Sequence, residues 1–363
     1  MPAPFRWFAR TSVESGPGIL SELGARARER GFANTLLVAD RGMIAAGFVD
    51  RAQASLEASG ATIRAFHDFG ENPDSAMAAA GASHAAGADS IVALGGGSSL
   101  DCAKAINFIA TNGGRMQDYW GYGKASRPML PMIGVPTTTG TGSEAQSYAL
   151  ISDAETHVKM ACGAPGAAFG LVLLDPELVM TQPPAVLAAA GYDAISHAVE
   201  TFVTSKRNAI SGCFAREAWR LLDGAYEPML AGKGGIDHAA AMQTGAYLAG
   251  AAIECSMLGA AHACANPLTA HYGTIHGVAI ALMLAHVVRW NGEPRYAELH
   301  PDLPARLDDL AAAGALPRRL RDIGVSEDRI TILAADASKQ WTGTFNPRPF
   351  DQAGALELYR CAF

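Results

Sequence analysis

Short apolar runs alternate with longer Ala-rich stretches through the first half of the chain. Residues 34–40 (NTLLVAD) read as a buried strand, followed by the helix-like RGMIAAGFVDRAQASLEASG. Residues 61–69 read as a second strand and 75–86 as a second helix. Residues 90–94 form a third strand that runs into a Gly-rich turn and the helical CAKAINFIATN, and residues 130–136 a fourth strand. This βα alternation predicts an open, mostly parallel sheet with helices on both faces and ligands at the carboxyl ends of the strands.

From Pro176 onward the strand signals fade. Long Ala- and Leu-rich segments follow at residues 184–203, 211–231, 237–254, 277–290, 303–320 and 330–338, which predict an all-helical region. The change of character falls in DPELVMTQPP. An α/β domain is therefore expected over residues 1–178 and an all-helical domain over 179–363.

Length and composition agree with that plan. A chain of 363 residues suggests about two domains, and 49% apolar against 17% charged residues gives ample core. The net charge of −7 argues against nucleic acid, whose phosphates need clustered Lys and Arg. Cys102, Cys162, Cys213, Cys255, Cys264 and Cys361 are scattered with no CxxC pair, a pattern that fits a reduced compartment. MPAPFRWFART lacks the apolar core of a signal peptide, and the longest apolar run, residues 273–288, contains two histidines. A soluble cytoplasmic protein with no membrane partner is expected.

Three features of the α/β half could hold a nucleotide. GGGSSLD (95–101) follows a strand and opens a helix, whose free N–H groups attract phosphate; a Gly-rich turn with no ligand reads the same way. PTTTGTGSE (136–144) also follows a strand and supplies hydroxyl and backbone donors, or is simply a polar loop. Asp40 ends the first strand, where a carboxylate can accept from an adenosine ribose and repel a 2′-phosphate; it can equally be a turn residue.

The helical half carries histidines in apolar surroundings. Asp193 and His197 are four apart and share a helix face. His262, His271, His276 and His286 lie in the apolar stretch 259–291, where Asn266-Pro267 should end one helix and His276-Gly277 begin another. Taken singly, each histidine reads as a satisfied core residue. Together, Asp193, His197, His262 and His276 form a divalent-metal ligand set. His286 lies off the His276 face and reads as structural, whereas His271 either lines a cleft or caps a turn.

With these residues laid out, the chain resembles the iron-containing (group III) metal-dependent alcohol dehydrogenase family. The resemblance runs through GGGSSLD, PTTTGTGSE, LLDPEL, GYDAISHAVETFVT and HGVAIALMLAHVVRWN to TGTFNPRPF. It implies a dinucleotide-binding domain followed by a helical metal-binding domain, with the metal on Asp193, His197, His262 and His276. It implies pyrophosphate contacts at Gly97 and Ser98, with Gly96 and Asp101 beside them. Further nucleotide contacts fall on Asn72, Thr137, Thr138, Tyr148, Lys159 and Val186, and Asp40 matches the position that favours NAD.

One departure stands out. Where many members read H-x-x-x-H-P, this chain has His262-Ala-Cys-Ala-Asn266-Pro267, and Asn266 cannot carry a proton at neutral pH. The proton then travels by ribose hydroxyl and water, or His271 takes over. The implied activity is hydride transfer between NAD(H) and a small alcohol or aldehyde on one Fe²⁺ or Zn²⁺, in a homo-oligomer. The alternatives are reduction of an anionic aldehyde or oxo acid, and a lyase resembling dehydroquinate synthase that shows no net NADH change.

Overall fold

The computed structural model describes residues 5–363. The chain forms two compact units. One comprises Phe8–Thr138 and Ser143–Thr181; the other comprises Thr139–Gly142 and Gln182–Phe363, together with residues 5–7.

The α/β unit contains β1 (Ser12–Ser15), α1 (Leu23–Glu29), β2 (Asn34–Ala39), α2 (Arg41–Ala45), α3 (Phe48–Ala58), β3 (Thr62–Phe66), α4 (Ser75–His84), β4 (Ser90–Gly95), α5 (Gly97–Asn112), β5 (Gly121–Tyr122), β6 (Met132–Pro136), β7 (Tyr148–Ser152), β8 (Lys159–Gly163), β9 (Leu171–Leu174) and α6 (Pro176–Val179). Six of these strands make an all-parallel sheet in the order β1-β9-β6-β4-β2-β3. β4, β6 and β9 are buried along their whole length, as expected for parallel strands covered on both faces. Leu20, Leu23 and Leu56 pack with Leu37, Val92 and Ile133 in one core cluster, and Phe108, Met116 and Met160 anchor another.

The sheet has two strands more than the sequence suggests. β1 is a short polar edge, SVES, and β9 is a four-residue LVLL run without a following long helix. A separate three-stranded sheet pairs β8 antiparallel with β7 and parallel with β5. The single helix expected over residues 41–60 is two, because Gly47 adopts a left-handed φ of 75° between α2 and α3.

The second unit is built from α7 (Pro184–Val203), α8 (Ala209–Leu230), α9 (Ile236–Cys255), α10 (Ala260–Tyr272), α11 (His276–Asn291), α12 (Leu303–Ala313), α13 (Ile330–Ala337) and α14 (Gln352–Ala362). Tyr192, Phe202, Trp219, Tyr226, Leu284 and Tyr359 belong to one large core cluster. Pro183 and Pro184 start α7, where a missing N–H costs nothing, and α7 is then buried on nearly every side as the central helix. α10 does not stop at Asn266-Pro267. Its buried residues Ala263, Cys264, Ala265, Pro267 and Leu268 hold the helix together through the proline, and it ends at Gly273, φ 63°. No single helix among the described residues is long and apolar enough to cross a membrane.

The strap Thr139–Gly142 is held in this unit by backbone-to-backbone packing. Gly142 has φ 60°, and a Cβ on Gly250 of α9 would stand 2.4 Å from the Gly142 carbonyl oxygen. A Cβ on Gly140 would meet Ala190 of α7 at 2.8 Å.

Candidate functional site

Four potential ligands come from three helices of the helical unit. Asp193 and His197 sit one turn apart on α7, His262 is the third residue of α10, and His276 opens α11. Gly277 permits that last approach, because a Cβ there would stand 2.0 Å from the Ala189 carbonyl oxygen of α7. The Nε2 atoms of His197, His262 and His276 lie 3.4, 3.7 and 3.8 Å from Asp193 Oδ1. His197 Nε2 and His262 Nε2 are 3.1 Å apart. Donors at about 2.1 Å from a tetrahedral ion would be separated by about 3.4 Å, so these spacings fit one metal. The ligand atoms of Asp193, His262 and His276 all lie within 4.8 Å of one another.

The electrostatics support the same reading. Asp193 Oδ1 is buried and has no hydrogen-bond partner, an expensive state for a carboxylate unless a cation meets it. Burial alone would raise its carboxyl, but His197, His276 and His262 outweigh that and hold it well below the usual carboxylate range. Burial lowers His197 to about 4, against the pull of Asp193, so its ring is neutral and ligand-ready at pH 7. His262 also suffers burial, but Glu200 and Asp193 lift it to about 9. The His276 side chain, 28% exposed, gives the group an open side.

The nucleotide candidates gather at the carboxyl ends of adjacent parallel strands in the α/β unit. Gly96 caps α5, Gly97 and Ser98 begin it, and no side chain caps that helix start, which leaves its N–H groups suited to a phosphate. The Thr137 N–H donates to the Gly95 carbonyl at 3.0 Å, so the loop after β6 departs beside the loop after β4, and Thr138 follows in the same loop. Asn72, in the left-handed region at φ 51°, donates its N–H to Ser98 Oγ at 3.2 Å. Lys159 Nζ reaches Asn72 Oδ1 at 3.5 Å, and Tyr148 opens the neighbouring strand β7. Asp40 ends β2 and caps α2.

Other expected site residues are placed differently. Asp101 points into the protein: its Oδ1 accepts from Ser143 Oγ at 2.5 Å and lies 4.0 Å from Lys104 Nζ, while burial pushes its carboxyl up. Val186 is an exposed residue on the first turn of α7, in the helical unit. Asn266 lies one turn beyond His262 on α10 and donates Nδ2 to Gln340 Oε1 at 3.0 Å. His271 is a further turn and more along the helix, about 180° round from His262 at 100° per residue. Its Nε2 pairs with Asp336 Oδ2 at 2.9 Å, so it does not join the ligand group.

Two residues escaped the sequence reading. Glu200, buried on α7 seven residues beyond Asp193, places Oε2 2.5 Å from His262 Nδ1; a carboxylate has only lone pairs to offer, so the ring carries its proton there. The i, i+4, i+7 spacing of Asp193, His197 and Glu200 was the available signal. Lys104, fully buried on α5, donates Nζ to Ser143 O at 2.6 Å, Ser143 Oγ at 3.0 Å and the carbonyls of Gln146 and Tyr148 at 2.8 Å each. It holds the segment that leads into β7.

Residues 10–176 match the family model for iron-containing alcohol dehydrogenase, and residues 187–363 that for the C-terminal part of the Fe-containing alcohol dehydrogenase family. The chain is 35% identical to alcohol dehydrogenase 4 of Schizosaccharomyces pombe over 356 residues, 92% of this chain and 83% of that one. It is 29% identical over 354 residues to the NAD-dependent methanol dehydrogenase of Bacillus methanolicus, 92% and 93% of the two chains. A solved 1,3-propanediol oxidoreductase superposes with a TM-score of 0.93 at 29% identity, covering 99% of this chain and 100% of that one.

Proposed function

For a chain that belongs to the iron-containing alcohol dehydrogenase family, we propose interconversion of a small alcohol and its aldehyde or ketone, with NAD(H) as hydride carrier. The observation that carries this reading is the unpartnered Asp193 Oδ1 facing three imidazole nitrogens at 3.4, 3.7 and 3.8 Å. Asp193, His197, His262 and His276 would hold one divalent ion, and three imidazoles with a carboxylate suit Fe²⁺ and Zn²⁺ alike. When bound, the ion supplies a Lewis acid for the substrate oxygen.

The chain's own groups divide the remaining work. The uncapped start of α5 at Gly96, Gly97 and Ser98 takes the pyrophosphate, with Asn72, Thr137, Thr138, Tyr148, Lys159 and Val186 as further nucleotide contacts. Asp40 disfavours a 2′-phosphate and so selects NAD(H) over NADP(H). Asn266 can orient a hydroxyl through its amide but cannot shuttle a proton. The proton therefore leaves by hydroxyl and water. We place the protein in a reducing compartment, consistent with six free cysteines, and as a homo-oligomer.

The test is NADH oxidation with a panel of short aldehydes after chelator stripping and separate reconstitution with Fe²⁺ and Zn²⁺. Activity should return with metal and vanish in His262→Ala and His276→Ala. Full activity in verifiably metal-free enzyme would sink the metal chemistry. Bound metal and nucleotide with no NADH consumption on any aldehyde would point to the lyase-type reaction instead.

A further inference from the structure

The first N–H groups of a helix have no partner within the helix, and Gly259, which precedes α10, has no side chain to offer them. Two distant side chains take that role. Asn346 Oδ1 accepts the Ala260 N–H at 3.2 Å, and Glu200 Oε1 accepts the Ala261 N–H at 2.8 Å. The other oxygen of Glu200 meets Nδ1 of the very next residue, His262. One carboxylate thus fixes both the backbone entry of α10 and the ring that the entry delivers. A Cβ on Gly259 would stand 2.9 Å from Asn346 Oδ1 and 3.0 Å from Glu200 Oε1, so glycine is what admits both groups.

Asn346 is itself held. Its Nδ2 donates to Asn291 Oδ1 at 2.7 Å and to the Arg348 carbonyl at 2.8 Å. It is the Asn of the TGTFNPRPF motif, to which the sequence assigned no task.

We propose that Glu200 is the positioning residue of the metal centre and that Asn346 clamps the helix start on which it acts. This rests on the metal-binding reading above. With Glu200 Oε2 holding the Nδ1 proton, Nε2 is the nitrogen that faces Asp193 and His197, and it would supply the lone pair once a cation displaces the proton there. The helix start favours the negative charge of Glu200, so the carboxylate, the peptide dipoles and the ring are mutually consistent.

The chemistry of glutamine gives a sharp contrast. Glu200 offers two acceptor oxygens to two donors. Gln offers one acceptor and an NH₂, so Glu200→Gln either leaves the Ala261 N–H facing a donor or donates to Nδ1 and moves the ring proton to Nε2. Either outcome weakens the site while changing almost no volume.

The experiment is Co²⁺ binding to the chelator-stripped full chain, read by visible absorption of the bound ion and by competition with a chromophoric chelator. Wild type should bind one ion per chain. Glu200→Gln should bind it about 10–100-fold more weakly, with shifted visible bands, while the metal-free melting temperature falls by only the few degrees that one lost buried hydrogen bond allows. Glu200→Asp, too short to reach both donors, should fall between them, and it decides the matter if the glutamine variant does not fold. Affinities and spectra equal to wild type in these variants overturn the assignment alone. A wild-type chain that binds no cobalt overturns the metal centre and the assignment together.

Discussion

Ser99 donates its hydroxyl to Asp40 Oδ2 at 2.8 Å and accepts the Asp40 N–H at 3.2 Å, tying the carboxyl end of β2 to the first turn of α5. Asp40 Oδ1 accepts from the N–H groups of Gly42 and Met43 at 2.8 and 3.3 Å. The carboxylate is therefore fixed beside the proposed nucleotide site rather than free to swing away.

Asp40→Asn keeps the helix cap, since Asn caps as well as Asp, removes the charge, and reverses the bond to Ser99, whose hydroxyl would accept from the new amide. We expect kcat/KM for NADPH relative to NADH to rise about tenfold or more, equivalent to roughly 1.4 kcal/mol of relieved repulsion, with little change in melting temperature. An unchanged ratio would remove Asp40 from cofactor selection.

Glu144 is buried, and burial raises its carboxyl to about 7 although its own backbone N–H and Lys104 act the other way. The folded protein then keeps a proton that the unfolded chain releases near 4.5, the ordinary value for a glutamate. This contribution to stability is complete below that value and is lost as pH rises through 7. Glu144→Gln should flatten the fall, so the difference in melting temperature between variant and wild type should grow in the variant's favour from pH 4.5 to 7.5. A constant difference across that range would show that the group does not titrate there.

Gly250 lies inside a helix, where Ala ordinarily adds about 0.5–1 kcal/mol of stability. Here the new methyl would meet the Gly142 carbonyl, and Gly250→Ala should instead cost about 1–3 kcal/mol and lower the melting temperature. A stabilised variant would mean that the strap yields readily.

His271 is paired with Asp336 and turned away from His262, so His271→Ala should leave kcat within about twofold and cost no more than about 1 kcal/mol of stability, as for other exposed ion pairs. Asn266→Ala should raise KM more than it lowers kcat, because an orienting amide is lost and no proton carrier. A large kcat loss in His271→Ala, with a displaced pH profile, would establish His271 as the relay.

The gathering of Asp193, His197, His262 and His276 was legible because α7 puts Asp193 and His197 on one face by spacing alone and because His276 opens a helix, although His262 begins α10 rather than sitting near a helix end at Asn266-Pro267. The parallel sheet was legible from runs such as SIVAL and PMIGVP. Glu200 was not, since a single carboxylate in HAVETFV gains meaning only from α10, which lies sixty residues on in sequence. β1 is four mostly exposed residues whose strand character comes from pairing with β9, a partner far along the chain. The inward turn of Asp101 was not legible for the same reason. Its position in GGGSSLD suggests a ligand contact, but Ser143 and Lys104 draw it inward, and neither could be foreseen from local spacing.

The strap of residues 139–142 has one more consequence. The backbone passes from one unit to the other at residues 7/8, 138/139, 142/143 and 181/182. A fragment ending at Thr181 would carry the strap but lack Ala190 and Gly250, on which it rests. One beginning at Gln182 would lack the strap, and also Trp7, whose ring meets Phe214 at 6.1 Å. Neither half thus carries both the strap and its seat, and any recombined chain must keep glycine at 140 and 250, where a Cβ would meet Ala190 and the Gly142 carbonyl.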